Sequence, residues 1–530
     1  MTQTRPLGAQ ISHMLKDRGV DVIFGIPGVH NQEMYRGIEE AGITHVLARH
    51  EQGAGFMADG YARASGKPGV AYVITGPGLC NIMTPMGQAY SDSVPLLVIS
   101  SCLDETAATR GQLHQMNDQR AAAETVCDWS QEARSAEAAY ALIDRAMIEF
   151  DTTRPRSKSI SVPIAKLEAP AHAHPPVQSK PKRPVQHRAG VIATVHNLLK
   201  QAEKPLFILG GGVTGGPIAS LTVGACKAAS FTTYAGRGLI PADAEFHFGA
   251  MLPRPDSARV IAQADLVIAV GTELAEVDLW RDTLGHTGTL VRVDIDPEVL
   301  ADHHRADYQL FYDADAFLAD LNEMDVTRQA SGWDAAEVAA ARSRWRAEVD
   351  AERPGIVPVC GALREAVPAD TMIYSDMTQL AYTAKEVWDM GRPGHWHHPT
   401  GFGTLGYATP AAIGGAVARK GLPTMAIIGD YGFHYTMAEL GVAVELKLPL
   451  PIVLWDNTKL GEIEDSMVRA QIAPNAVVAH NPNFCKLAEA FGAKAVAPTT
   501  LKDMQDAVRA AFVAEGPTLI YLTPDVVGAA

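Results

Sequence analysis

The sequence TMAIIGDYGFHYTMAELGVAVELKLPLPIVLWDN, at positions 424–457, contains two apolar runs separated by a stretch of helical pattern. The runs TMAII and PIVLW predict buried strands, and positions 435–447 predict the helix between them. Parallel strands joined by a helix end at the same edge of a sheet, which brings Asp430 and Asn457 close together. Open α/β sheets bind their ligands at this edge.

Asp430 and Asn457 supply the hard oxygen atoms that Mg²⁺ and Ca²⁺ prefer. The helix start after Gly432 offers backbone N–H groups to a phosphate. The stretch therefore predicts a partial cage for a cation that is bound to a phosphate group. Asp and Asn are also common in exposed turns, so the stretch by itself leaves a purely structural interpretation open.

Strand patterns alternate with helical intervals along the whole chain. They include VDVIFG, THVLAR, VAYVIT and PLLVIS, then PLFILG, LVIAVG and LVRVDI, and finally TMIYSD and TLIYLT. This alternation predicts βαβ units and parallel sheets. A proline-rich segment at 168–188 and a charged segment at 326–355 separate three regions, 1–167, 189–325 and 356–530. We expect an α/β protein of three domains with open, mainly parallel sheets.

Composition excludes several classes of protein. The 530 residues include 45 Lys and Arg against 60 Asp and Glu, a formal net charge of −15, which disfavours a nucleic-acid partner. No apolar run approaches the roughly 20 residues that cross a bilayer, so no membrane association is expected. The six cysteines are scattered without a CxxC pair, as in proteins of reducing compartments. With no apolar leader at the N-terminus, a cytoplasmic location is predicted.

The pattern GD-x-G-F, then EL, then LP, then an asparagine 27 residues after the aspartate resembles the diphosphate-binding motif of thiamine-diphosphate enzymes. Two positions depart from that motif, since Tyr431 stands where glycine is usual and Asp456 replaces the first asparagine of a pair. The resemblance implies Mg²⁺ held by Asp430, Asn457 and the backbone carbonyl of Lys459. It implies cofactor contacts from Gly429, Asp430, Tyr431, Gly432, Asn457, Leu460 and Gly461.

The N-terminal region is similar to the pyrimidine-binding domain of the decarboxylase and acetolactate synthase superfamily. The similarity lies in FGIPG at 24–28, RHEQGA at 49–54 and MADGYAR at 57–63. It implies that Glu51 hydrogen-bonds the aminopyrimidine ring and shares a proton with its nitrogen. Contacts from Pro27, Gly28, Gly78 and Asn81 are implied as well. Without the resemblance, Glu51 is a carboxylate at a helix N-terminus, where the dipole favours it.

A third element of the resemblance is TGFGTLGY at 400–407. It implies cofactor contacts from Gly403, Thr404 and Leu405, with Leu405 supporting a bent cofactor. The alternative is a glycine-rich loop that only opens a helix. Sites of this superfamily form between subunits, so the resemblance implies a homo-oligomer, a dimer at minimum and commonly a tetramer.

The substrate side is harder to predict. In the family, a loop at the position of His114 and Gln115 lines the substrate; His114 either relays protons or caps the loop. His30 is a second candidate to face the substrate. Glu462 follows Gly461 where acetolactate synthases commonly have Met, and a carboxylate there suits a guanidinium group. An acidic run of this kind is also common on a solvated helix face.

These features predict non-oxidative decarboxylation of a small 2-oxo acid to an aldehyde and CO₂. The stretches at 24–42 and 429–441 resemble 5-guanidino-2-oxopentanoate decarboxylases. An acetolactate synthase-like carboligase that joins an activated acyl unit to a second carbonyl is the first alternative.

Two glycine-rich stretches, at 210–215 and 401–406, fit the dinucleotide fingerprint and keep an FAD- or NAD-linked oxidoreductase as a further alternative. No strand pattern precedes the second, and the first lacks a clear acidic partner, so FAD is possible but not favoured. A scaffold with a decayed site is disfavoured because Glu51, Asp430 and Asn457 are all present.

Overall fold

The computed structural model describes residues 4–105, 111–177 and 189–528. The chain divides into two compact units. One comprises Met1–Arg183, Thr371–Thr378 and His398–Ala530, and the other comprises Pro184–Asp370 and Gln379–His397. Both contain mainly parallel sheets flanked by helices, so the predicted α/β fold class is confirmed. Of the proline-rich segment 168–188, positions 178–188 lie outside the described residues.

The N-terminal part of the first unit contains a six-stranded parallel sheet and a separate antiparallel pair of strands. The strands in chain order are β1 (Arg5–Pro6), β2 (Val22–Gly25), β3 (Thr44–Leu47), β4 (Gly69–Val73), β5 (Leu96–Cys102), β6 (Trp129–Glu132), β7 (Lys158–Pro163) and β8 (Pro170–Ala171). The sheet order is β3-β2-β4-β5-β7-β6, while β1 and β8 form a separate antiparallel pair. The helices are α1 (Leu7–Asp17), α2 (Gln32–Glu40), α3 (Glu51–Ser65), α4 (Pro77–Ser91), α5 (Gln119–Glu124), α6 (Ala136–Thr152) and α7 (Ile164–Glu168).

The second unit contains a five-stranded parallel sheet in the order β10-β9-β11-β12-β13. Its strands are β9 (Pro205–Leu209), β10 (Ala229–Thr232), β11 (Leu266–Val270), β12 (Thr289–Asp294) and β13 (Tyr308–Phe311). Its helices are α8 (Ala189–Gln201), α9 (Gly216–Ala225), α10 (Ser257–Ile261), α11 (Glu276–Leu279), α12 (Pro297–Leu300), α13 (Ala314–Glu323), α14 (Ala335–Glu352), α15 (Ile356–Ala366) and α16 (Gln379–Val387).

The C-terminal part of the chain adds the strands β14 (Met372–Ser375), β15 (Trp396–His397), β16 (Thr424–Gly429), β17 (Pro451–Trp455), β18 (Lys494–Val496) and β19 (Thr518–Leu522). Parallel strands of the first unit run in the order β14-β16-β17-β19-β18. The helices are α17 (Ala408–Ala418), α18 (Asp430–Thr436), α19 (Leu440–Glu445), α20 (Gly461–Arg469), α21 (Phe484–Phe491) and α22 (Leu501–Ala511).

The helix predicted at 435–447 differs from the observed one. Helix α18 begins five residues earlier, at Asp430, and a 3₁₀ turn over Met437–Glu439 separates it from α19. Gly429 caps the strand end in an extended conformation, and Asp430 in the first helical turn interacts favourably with the helix dipole. The aspartate therefore lies at the strand-to-helix junction itself. Among the helices described here, none is both long and apolar enough to span a bilayer.

Helix α3 packs directly against α17 within the first unit, and one apolar core continues through both helices. Two glycines permit the close approach. A Cβ on Gly60 would overlap the Ala411 carbonyl, and one on Gly414 would overlap the carbonyl of Met57. The Tyr374 hydroxyl donates to the Gly60 carbonyl at 2.7 Å. This packing holds α3, whose first residue is Glu51, against α17.

Replacing Gly414 with alanine is expected to lower the free energy of unfolding by about 1–3 kcal/mol or more, because the added methyl group meets rigid backbone. Gly361, in the middle of α15, has open space around its Cα and serves as the control. Gly361→Ala is expected to raise the free energy of unfolding by up to about 1 kcal/mol through helix propensity alone. Thermal or denaturant unfolding measures both, and equal effects would contradict the packing argument.

Candidate active site

Asp430 and Asp456 follow neighbouring parallel strands, with Gly429 of β16 opposite Trp455 of β17. Both carboxylates are buried, at 3% exposure each. Asn481 bridges them, because its Nδ2 donates to Asp430 Oδ2 at 2.7 Å and to Asp456 Oδ1 at 2.8 Å. Burial raises the pKa of Asp430 to about 6; the charge of Asp456 adds to this shift, and the Asn481 hydrogen bond opposes it. The strand ends thus hold two carboxylates beside one amide.

The loop after β17 carries the other predicted metal ligands. Asn457 Oδ1 accepts a hydrogen bond from the backbone N–H of Lys459 at 3.3 Å. The backbone N–H of Leu460 donates to the Val477 carbonyl at 2.8 Å, which ties the loop to a second segment. The Lys459 ammonium forms an ion pair with Glu464, so that side chain points toward α20. The loop at 457–460 is therefore bonded to the segment around Val477 and to helix α20.

Glu51 is the first residue of α3 and is buried at 8% exposure. Its Oε2 accepts a hydrogen bond from Asn81 Nδ2 at 2.9 Å. Its Oε1 would lie 3.4 Å from a Cβ on Gly78, so the bare glycine leaves room beside the carboxylate. The structure brings these three predicted residues together at the start of α3 and α4.

Gly28, in the loop after β2, lies near Gly78, because the side chain of Ile74, which follows β4, contacts both glycines. The Ile74 side chain packs against the bare Cα of Gly28, and it would meet a Cβ on Gly78 at 2.9 Å. The backbone N–H of Gly28 donates to Asn31 Oδ1 at 2.7 Å, and Asn31 is fully buried. Pro27 lies next to this turn and is exposed.

Comparison with known proteins agrees with this geometry. Residues 5–122 match the thiamine pyrophosphate enzyme N-terminal TPP binding domain, 376–522 the C-terminal TPP binding domain, and 192–321 the central domain. A Pseudomonas aeruginosa protein named "Probable 2-ketoarginine decarboxylase AruI" is 43% identical over 98% of this chain and 94% of its own length. The chain belongs to the thiamine pyrophosphate enzymes. Its cofactor is thiamine pyrophosphate, the same compound as thiamine diphosphate.

More distant thiamine pyrophosphate enzymes are acetolactate synthases. The large subunit of acetolactate synthase isozyme 2 from Escherichia coli is 27% identical, over 98% of this chain and 95% of its own length. The large subunit from Parasynechococcus marenigrum is 26% identical, over 98% of this chain and 87% of its own length. The superfamily predicted from the sequence motifs is confirmed.

The loop at 403–406 is held by a residue that the sequence motifs do not single out. Gly403 and Gly406 have positive φ of 68° and 86°, and Leu405 between them is half-buried. Asp376, at the end of β14, accepts from the Gly406 N–H at 2.9 Å, and its Oδ2 would lie 2.9 Å from a Cβ on Gly432. Burial raises the pKa of Asp376 to about 6, and backbone N–H groups oppose this shift. Asp376 thus joins the Leu405 loop to helix α18. Thr404 lies in the same loop, and its hydroxyl donates to the Leu405 carbonyl at 3.2 Å.

His30 and His114 come from different loops and lie against each other, with ring centroids 5.0 Å apart. Their Nδ1 atoms are buried and have no hydrogen-bond partner among the residues that the structure describes. Burial lowers the pKa of His30, and the neighbouring His114 lowers it further. His114 has a positive φ of 63°, a strained conformation that often marks functional loops. Gln115 instead faces its own loop, where its Oε1 accepts from the Gln112 N–H at 3.2 Å.

Glu462 lies in the first turn of α20 and is half-buried. The helix begins with the buried Gly461, directly after the loop that carries Asn457. Tyr431 is half-buried in the first turn of α18. Within the described ranges no three His, Cys, Asp or Glu side chains cluster as a metal site, so a cation at Asp430 would need the amide and carbonyl oxygens nearby.

Each glycine-rich stretch has backbone N–H groups that donate to an aspartate of the protein. In the second unit, Asp315 of α13 accepts from the N–H groups of Thr214 at 3.0 Å and Gly215 at 2.9 Å. In the first unit, Asp92 accepts from the Gly401 N–H at 3.0 Å. A dinucleotide phosphate would need such donors for itself. The N–H groups of Thr214, Gly215 and Gly401 are therefore already bonded within the protein.

Proposed function

We propose that this enzyme decarboxylates 5-guanidino-2-oxopentanoate, also called 2-ketoarginine, to CO₂ and the corresponding aldehyde. The observation that carries the proposal is the 43% identity with the Pseudomonas aeruginosa protein of that name over 98% of the chain. The buried Glu51 and the oxygen-bearing residues that follow β16 and β17, Asp430 and Asn457, support it, because they fit the donor set that the cofactor requires.

Mg²⁺ is the proposed cation, bound by Asp430, Asn457 and the Lys459 carbonyl. All three are oxygen donors, which suit Mg²⁺ and leave further positions for diphosphate and water. In the proposal, the diphosphate segment includes Gly429, Tyr431, Gly432, Leu460 and Gly461, and Gly403, Thr404 and Leu405 contact the cofactor's centre. When bound, thiamine diphosphate supplies an electron sink for the bond that breaks as CO₂ leaves.

On the pyrimidine side, Glu51 holds a proton at its Oε1 and exchanges it with the ring nitrogen, while Asn81 fixes Oε2. Gly78, Pro27 and Gly28 are the further proposed contacts of the ring. Conversion of a 2-oxo acid anion to an aldehyde and CO₂ consumes one proton. The pair of His30 and His114 is proposed to deliver it, because their Nδ1 atoms lack a hydrogen-bond partner within the described part of the chain. Gln115 is a further candidate on the His114 loop.

Glu462 is the proposed contact for the guanidinium group. Glu462→Ala is expected to lower kcat/KM for the guanidino 2-oxo acid by about tenfold to a hundredfold, the value of a charge-assisted hydrogen bond. A neutral 2-oxo acid of similar length should be affected little. Asp465→Ala, which removes an exposed carboxylate from the same helix, is the control. Unchanged selectivity in Glu462→Ala would rule out this contact.

A screen of 2-oxo acids with thiamine diphosphate and Mg²⁺, recording CO₂, aldehyde and acyloin, tests the reaction itself. Aldehyde and CO₂ in equal amounts, fastest with the guanidino acid, are expected. Acyloin as the main product would instead identify a carboligase, as in the acetolactate synthases to which the chain is also similar. Turnover without thiamine diphosphate but with FAD or NAD would overturn the proposal.

We further propose a homo-oligomer, a dimer at minimum and a tetramer as the common form, in which Glu51 of one chain completes the site of another. An active monomer in light scattering would contradict it. A cytoplasmic location is part of the proposal, because all six cysteines are free thiols, as expected in a reducing compartment.

A further inference from the structure

Glu439 is a buried carboxylate that no part of the proposed mechanism uses. It lies in the 3₁₀ turn Met437–Glu439, between α18 and α19, and has 0% exposure. Its position is nine residues after Asp430, in the segment proposed to bind the diphosphate. The carboxylate nevertheless makes its hydrogen bonds to the N-terminal part of the chain.

The partners of Glu439 are backbone groups at the start of α3. Its Oε1 accepts from the N–H of His50 at 2.9 Å, and Oε1 and Oε2 both accept from the N–H of Arg49 at 3.1 Å. A Cβ on Gly53 would overlap the same Oε1, so the glycine makes room for the carboxylate. The side chain of His50 is occupied elsewhere, because its Nδ1 accepts from the Gln52 N–H. Glu439 therefore satisfies donors that the helix itself leaves unbonded.

Glu51 directly follows His50 and begins the helix. Asn81 holds the carboxylate end of Glu51, whereas Glu439 holds the backbone from which that side chain extends. A catalytic group loses effectiveness when its position shifts by about 1 Å, even if the shift originates outside the reacting groups. The backbone before Glu51 is thus a point at which a small displacement should affect the chemistry.

We infer that Glu439 is a positioning residue, which sets the place of the Glu51 carboxylate at the cofactor by holding the N–H groups of Arg49 and His50. The inference rests on the proposed role of Glu51. In this inference, the segment that is proposed to bind the diphosphate also supports helix α3 of its own chain.

A conservative variant is available. Burial raises the pKa of Glu439 to about 7, while the N–H groups of Arg49 and His50 oppose the shift. The N–H groups of Arg49 and His50 both donate to Oε1 of Glu439. A glutamine side chain keeps one carbonyl oxygen that can accept both bonds. Glu439→Gln should therefore retain part of the activity that Glu439→Ala loses. Glu445→Ala is the matched control, because Glu445 is exposed and accepts from the side chain of Arg49, at 2.6 Å, and not from its backbone N–H.

The experiment compares Glu439→Ala, Glu439→Gln, Gly53→Ala, Glu445→Ala and Glu51→Gln. The first readout is the rate at which the C2 proton of bound thiamine diphosphate exchanges for deuterium, measured by NMR after rapid quenching. The second is amide hydrogen exchange of residues 47–56 in the cofactor-free protein. The third is the affinity for thiamine diphosphate at fixed Mg²⁺.

Glu439→Ala is expected to slow C2 exchange by about tenfold to a hundredfold, with cofactor affinity little changed. In Glu439→Ala, the amides of Arg49 and His50 should exchange their hydrogen faster. Glu439→Gln and Gly53→Ala should show intermediate rates of C2 exchange and of amide exchange. Glu445→Ala should have the rates of the parent protein. Gly53→Ala and Glu439→Gln decide the question if Glu439→Ala does not fold. Normal C2 exchange in the folded Glu439 variants, or equal slowing in Glu445→Ala, would overturn the inference. Normal exchange in Glu51→Gln would instead overturn the proposed role of Glu51.

Discussion

Replacing Glu51 with glutamine is expected to lower turnover by roughly two to four orders of magnitude, the usual contribution of a positioned acid–base group. Glutamine keeps the size of the side chain and an oxygen that can accept from Asn81, but it cannot exchange a proton. The affinity for thiamine diphosphate should change little, because the diphosphate is bound through the segment around Asp430. Steady-state kinetics and calorimetric titration of the cofactor separate the two effects.

Glu137→Gln provides the control for this variant. Glu137 is also a carboxylate in the first turn of a helix, α6, but it is exposed. If Glu51 only balanced the helix dipole, both substitutions would have a similarly small effect on stability, and neither would change turnover. Near-normal turnover in Glu51→Gln would therefore indicate that Glu51 has a structural role and no catalytic one.

Replacing Asp430 with asparagine is expected to weaken binding of Mg²⁺ and thiamine diphosphate by at least about a hundredfold, the upper range for loss of a residue that merely supports a metal ligand. Removing the charge of a residue that binds the metal directly should weaken binding at least as much. The cofactor-free variant should fold and melt at the same or a higher temperature, because the repulsion between Asp430 and Asp456 in this buried site is relieved. Calorimetric titration and thermal melting measure the two quantities.

Two further variants test the geometry around Asp430. Asn481→Ala removes the amide that donates to both carboxylates and should weaken cofactor binding by about tenfold to a hundredfold. Asp506→Asn changes an exposed aspartate on α22 and should leave binding unchanged. Parent-like affinity in Asp430→Asn would exclude the metal site at these strand ends.

The α/β fold class followed from sequence patterns because parallel strands are buried on both faces. TMAII and PIVLW are continuous apolar runs, and β16 and β17 are fully buried along their lengths. The strands without a predicted counterpart include the edge strands β6 and β13, WSQE and YQLF, which are partly exposed and carry polar residues. Strand β7 was also not predicted, since its buried Lys158 breaks the apolar run and is neutralised by Asp128 and Glu149.

The residues that support the site could not be found in the same way. Asp376 and Asn481 are polar residues in segments whose local pattern indicates nothing unusual, and Glu439 belongs to the EL of the diphosphate-binding motif, which does not indicate its partners. The partners described above are 25 to 51 positions away for Asp376 and Asn481, and 389 to 390 positions away for Glu439. A hydrogen bond across such a separation depends on how sheets and helices pack, which no window of sequence contains.

The sequence by itself determined where the strands of 424–457 end and which oxygen-bearing side chains follow them, because strand burial and the direction of a βαβ unit are local properties. Only the tertiary structure decided what lies against those side chains. It placed Asn481 between Asp430 and Asp456, His30 against His114, and Glu439 under the start of the helix that carries Glu51. Each of these contacts forms because buried polar groups must find partners wherever packing brings them together.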